Sequence, residues 1–295
     1  MAYPLTSETG NLTCSAPSGD LLYLFGTALR MTTDIATLNL ESNEIEVTQA
    51  TGSAINMHSR INGLRTGTVE FAGIWPRTST PLGITSLVTY ASGYVQYINA
   101  WSIDLTWPEI DITYFAGGAT GPTDPSTSWR RWMPGGIGSW SGSYTCKADD
   151  TTPPSVPSTG AAAAATFYMM ADGAAGTTGD PSLAGDITTP RLTQRVRLGD
   201  FSELTYNFSG SGNLTQTAGT TFPGLTAASG AITKPTWNIT ATDSKPDNTC
   251  RLTVATGRYY EFPAFWTRLN LSWRVDDVVR VTGTLRVADV PGTIA

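Results

Sequence analysis

The chain has 295 residues, 40% apolar and only 14% charged, with 47 Thr, 30 Gly and 18 Pro against 3 Lys and 15 Arg. That composition excludes a charge-swollen disordered chain and a collagen-like repeat, and its β-branched bias favours strands over exposed helices. A net charge of -6 and a pI near 4.8 exclude a Lys/Arg-rich face of the kind that wraps DNA or binds an anionic membrane.

The first residues, MAYPLTSETG, lack a basic and apolar leader, and no run approaches the roughly 20 apolar residues of a membrane span. Synthesis and assembly in the cytoplasm without a membrane anchor are the expectation, with residues 1–19 as an N-terminal arm. Alternation predicts strands at 21–25 (LLYLF), 44–48 (EIEVT), 67–71 (GTVEF) and 102–107 (SIDLTW). Short helices are expected at 81–94 and in the Ala-rich run 160–172. Strand patterns return at 203–210, 236–242, 250–254, 268–275 and 277–287. The fold class is therefore all-β with one or two short helices. Two long turn-rich segments, 48–67 and 115–140, interrupt the strands, and loops of that length in a compact chain usually carry function.

Internal similarity organises these elements. EIEVT at 44–48 and EIDIT at 109–113 each precede a long loop and a Gly-containing strand, at 62–71 and 135–144. Aligning Leu64 with Ile137 sets Val69 on Gly142 and Phe71 on Tyr144. A second match joins 203–214 to 277–287. Two copies of one β unit are expected: 20–95 with 221–295, and 96–220, the latter inserted into the former or following in tandem.

Chemistry-bearing residues are sparse. His58 is the single histidine, and no GxSxG elbow accompanies it for a Ser-His-Asp triad. Cys14, Cys146 and Cys250 are odd in number and too dispersed for a zinc knuckle, so reduced thiols are expected. Glu109 with Asp111, like Glu44 with Glu46, forms an acidic stripe on one strand face, which reads as solvated surface sooner than as a glycosidase pair. Trp101, Trp107, Trp129, Trp132 and Trp140 concentrate in one region, and Trp129-Arg130-Arg131-Trp132 suits a protein–protein contact. No catalytic residue, metal ligand or cofactor is expected.

The order of these features, EIEVT then NGLRTGTVEF, and EIDIT then WRRWMPGGIGSWSGSY, with the closing segment 250–292, resembles the tail tube (major tail) proteins of long-tailed bacteriophages. The resemblance implies β-sandwich or barrel units, each with a flanking helix, whose sheets join neighbouring subunits into a ring around a lumen. It implies a virion protein of the tail whose rings stack into the hollow tube through which the genome passes. For a duplicated chain it implies trimeric rings with pseudo-sixfold symmetry. The partners would be further copies, the tape-measure, tail tip and tail terminator proteins, and double-stranded DNA in transit without sequence-specific binding. On this reading the loops 49–66 and 114–136, with His58, Arg60, Trp129, Arg130, Arg131 and Trp132, make the ring-stacking contacts. Glu46, Glu70 and Asp111 are expected to face the lumen and repel the DNA backbone. A capsid decoration or other head protein, and a carbohydrate-binding or glycoside-cleaving tail component, are the alternatives.

Overall fold

Period-2 alternation of apolar and polar residues puts one face of nearly every strand into a common core. The computed structural model describes residues 11–15, 32–46, 60–74, 85–91, 93–95, 97–113, 129–130, 132–148, 161–171, 182–217, 230–231, 237–239, 244–246, 249–255, 258–275 and 279–288. Its strands are β1 (Asn11–Ser15), β2 (Thr32–Glu46), β3 (Arg60–Ile74), β4 (Thr85–Tyr90), β5 (Gly93–Tyr94) and β6 (Ile98–Thr106). β7 (Glu109–Asp111), β8 (Trp132–Pro134), β9 (Ser139–Lys147), β10 (Ala163–Ala171), β11 (Ser182–Arg195) and β12 (Glu203–Thr217) follow. The last are β13 (Gly230–Ala231), β14 (Trp237–Ile239), β15 (Ser244–Pro246), β16 (Thr249–Ala255), β17 (Arg258–Arg274) and β18 (Arg280–Val287).

The protein is all-β. One 14-stranded sheet runs β2-β3-β18-β17-β6-β9-β12-β11-β10-β4-β5, with β1 and β16 attached through β17 and β13 attached to β12. The sheet bends onto itself: Phe167 of β10 meets Trp101 of β6, ring centroids 5.9 Å apart, and Phe208 of β12, 5.2 Å apart. Burying each such aromatic contributes about 1.5–3 kcal/mol. The helices expected at 81–94 and 160–172 are replaced by strands β4, β5 and β10, and no helix occurs among the described residues. Tertiary pairing overrides alanine's helix propensity here, because β10 hydrogen-bonds β4 on one side and β11 on the other while Ala165 and Phe167 enter the core.

The strand register exposes a repeat different from the expected alignment. β17 and β6 pair antiparallel, with Leu269 opposite Leu105, Asn270 opposite Asp104 and Leu271 opposite Ile103. On either side, Phe71 of β3 faces Gly283 of β18, and Phe208 of β12 faces Gly142 of β9. Order and register are thus related by a twofold through the Asp104–Asn270 pair, which equates β6 with β17, β9 with β18, β3 with β12 and β2 with β11. The sequences agree: SIDLTW (102–107) with RLNLSW (268–273), TVEFAG (68–73) with TYNFSG (205–210), and SGS (141–143) with TGT (282–284). β9 and β18 have the same sequence of buried and exposed positions through eight residues. Phe71 therefore corresponds to Phe208, not Tyr144, and 203–214 corresponds to β3, not β18. The matched strands occur in tandem chain order, each β3-type strand pairing with the β18-type strand of the other half.

Close packing explains the paired glycines. A Cβ on Gly142 would lie 2.0 Å from the Ser102 carbonyl oxygen and 2.5 Å from the Phe208 ring; one on Gly283 would lie 2.5 Å from Phe71 and 3.0 Å from the Arg268 carbonyl. Each phenyl ring thus covers the glycine opposite it.

The expectation of three reduced cysteines is also corrected. Cys250 is buried and disulfide-bonded and Cys146 is free, which leaves Cys14, opposite Cys250 in the β1–β16 register, as the partner. Spacing in sequence gave no sign of this, because a cross-strand pair needs only adjacent strands.

Candidate functional site

Two surfaces concentrate polar side chains: the solvent face of the central strands and the β7–β8 insert beside it. On the central face, most outward residues of β9, β12 and β18 are hydroxyls, joined by Ser102 and Thr106 of β6 and Ser272 of β17, with Asp104, Arg268, Asn270 and Arg274 among them. Ser102 and Ser143 oxygens lie 3.2 Å apart, Thr145 and Thr205 3.2 Å, and Thr106 and Ser139 2.8 Å. At the twofold, Asp104 accepts hydrogen bonds from Asn270 Nδ2 at 3.0 Å and Arg268 Nη2 at 3.3 Å. Glu70 is exposed in β3 between Thr37 and Thr284. The face is broad and shallow, with depressions lined by Thr37, Glu70, Arg268 and Thr284, and by Ser102, Ser143, Ser272 and Arg274.

The insert is clamped to its own chain. Glu109 of β7 takes a two-pronged ion pair from Arg286 of β18, Nε to Oε2 at 2.5 Å and Nη2 to Oε1. The same guanidinium stacks on Trp132 of β8, 4.6 Å from the ring centroid. Backbone bonds from Trp132 N to Ala288 O (3.2 Å) and Arg130 N to Arg65 O (2.7 Å) complete the seam. Asp111 accepts from the Thr113 amide at 2.9 Å and pairs with Arg130 Nη1 at 3.5 Å. The indole N–H groups of Trp107, Trp132 and Trp266 are buried without an acceptor among the described residues, which makes this seam the least satisfied part of the core.

These positions revise several expectations. Trp129 is 7% exposed and part of its own chain's core. Trp132 and Arg130 are engaged by Arg286 and Asp111 of their own chain. Asp111 belongs with that insert, paired with β8, whereas Glu70 lies in the main sheet between β2 and β18. The ends of β2 and β3 place Glu46 opposite Arg60 in register. His58 and Arg131, and the side chains of Glu46 and Arg60, lie outside the described residues. Asp104, Arg268 and Asn270 were missed; the likeness of SIDLTW to RLNLSW was the signal that could have found them.

Glu109 and Asp111 are occupied by ion pairs that hold the insert. Burial pushes the Cys146 thiol up to about 11, leaving it protonated and unreactive near neutrality, and burial likewise raises the Tyr144 phenol. No group of three or more His, Cys, Asp or Glu that could hold a metal occurs among the described residues. No family model matches the chain, and no curated protein matches it.

Proposed function

We propose that the protein is a structural, non-enzymatic subunit that polymerises through its sheet into the hollow tube of a long phage tail. The observation that carries this reading is β2: fifteen residues long and paired only with β3 among the described residues, it ends the main sheet as an open edge. An edge of that length is a template for pairing with another chain. The resemblance noted in the sequence supplies the tail-tube identity, the virion location and the tape-measure, tip and terminator partners.

A tube wall must let DNA pass without gripping it. Non-specific DNA affinity comes from Lys and Arg contacts to phosphate, so a wall of Ser, Thr and Asn hydroxyls and amides with few unmatched cations serves that purpose. The acidic-wall mechanism is amended accordingly: on the central face Glu70 and Asp104 are accompanied by Arg268, Arg274 and Arg280, and Arg268 neutralises Asp104. Hydroxyls, more than an acidic field, would make the lumen slippery. In the trimeric ring of this reading, a twofold across the wall sets the six half-units alternately up and down, so local twofolds take the place of the pseudo-sixfold symmetry that the resemblance implies.

Negative-stain electron microscopy of the purified chain at high concentration tests the proposal. Rings and hollow tubes, with three-subunit symmetry in end views, are the expected result. Isolated particles that bind purified capsids would replace it with the decoration reading. Glycan binding or hydrolysis by isolated particles would replace it with the carbohydrate reading.

A further inference from the structure

The two halves match in their cores but not in the charge of their equivalent hairpins. β2 carries Asp34, Glu41, Glu44 and Glu46 and no base over its fifteen residues. Its counterpart β11 carries Arg191 and Arg195, followed by Arg197, against Asp186 near its start, Asp200 in the turn, and Glu203 of β12 opposite Arg195 in register. Thr37 and Arg191 stand opposite the equivalent residues Glu70 and Asn207. Counting outward from there, Leu38 corresponds to Leu192, and Glu41 to Arg195. One position has therefore kept its apolar residue while another has reversed its sign.

The β11–β12 hairpin also ends in an apolar tip with Arg195 and Arg197 beside it. Val196 is 72% exposed, Leu198 107% and Phe201 68%, around a turn whose Gly199 has φ +82°. Lys147 lies over the Phe201 ring, 4.7 Å from its centroid. On the acidic hairpin, Leu40 is 49% exposed beside the exposed Glu41 and Glu44. Four strands, β18, β17, β6 and β9, separate the two hairpins in the sheet.

We infer that the β11–β12 tip, through Arg195, Arg197, Leu198 and Phe201, docks on the acidic edge strand β2 of a second copy of this chain. The inference rests on the self-assembly reading above and adds its contact. Arg195 and Arg197 at the tip oppose Glu41 on the edge in charge, and each surface offers apolar side chains. Because they are different patches, the contact is heterologous and leaves one of each unused, so association propagates. Like-charge juxtaposition would oppose tip-to-tip and edge-to-edge pairing.

The test uses two full-length variants, R195E/R197E and E41K/E44K, checked for folding by circular dichroism and followed by sedimentation velocity at low and high salt. Each alone should need roughly tenfold more protein to associate than wild type. Mixed in equal amounts they should co-assemble, since the reversed tip of one fits the reversed edge of the other. Wild-type association should weaken with salt. Variants that associate alone as wild type does, a mixture that stays apart, or a wild type that stays monomeric would each overturn the contact. Complementation in assemblies that are not hollow tubes would support the contact while refuting the tail-tube reading.

Discussion

The halves of this protein differ least where they touch and most where they face outward. Around the Asp104–Asn270 pair they share a Leu-x-Leu/Ile pattern, a terminal Trp and a Phe-on-Gly cross-strand pair. Away from it they part. The first half links β6 to β9 through the β7–β8 insert, whereas the second links β17 to β18 within 275–279. β10 is hydrogen-bonded on both edges, while β1 is paired on one edge among the described residues and tethered by a disulfide. The packing at the twofold constrains sequence, because each half must fit the other; the periphery is free to acquire separate contacts.

The largest expected effects lie at the shared core. Gly142→Ala should cost more than about 3 kcal/mol in denaturant unfolding, since its Cβ meets backbone as well as a ring. Gly283→Ala, whose tightest neighbour is the end of the Phe71 ring, should cost less. Equal losses would break the distinction between a backbone clash and a movable side chain.

Next comes the asymmetry between β1 and β10. Cys14→Ser, or reduction, should lower stability by about 2–4 kcal/mol and open the 11–15 amides to hydrogen exchange, leaving 163–171 protected. Alkylation without reductant in denaturant should label one cysteine; three labelled cysteines would contradict the disulfide. Smaller again, Arg286→Ala should cost about 1–3 kcal/mol and loosen the insert, seen as faster exchange at 132–135 without change at 279–283. Asp104→Asn should cost under about 1 kcal/mol, because Arg268 is largely exposed and Asn270 can still pair.

A pH effect separates Cys146 from these. Its folded pKa is raised, so the thiol form is favoured by folding; that contribution is complete below about 9 and is lost as pH rises through about 11. Cys146→Ser should flatten the stability profile in that window.

Strands at 67–71, 102–107 and 268–275 were legible because alternation survives wherever one face is buried. The Ala-rich run 163–171 was not, because its pairing partners lie at 85–90 and 182–187, and local propensity carries no information about them. The repeat was visible only in six-residue motifs far apart in the chain, and the similar strand segments EIEVT at 44–48 and EIDIT at 109–113 drew the alignment to other strands. Trp129 and Trp132 were read as contacts between chains because an Arg–Trp group in a loop looks the same whether its partner is near or foreign. Here the partners are Arg65 and Arg286 of the same chain.

The most direct measurement is a cryo-electron microscopy reconstruction of the assembled protein that resolves β2 and the Ser102–Ser143 face. The account predicts β2 covered by a neighbouring copy and the hydroxyl face turned to the lumen. A solvent-exposed β2, or the hydroxyl face on the outer surface, would contradict it.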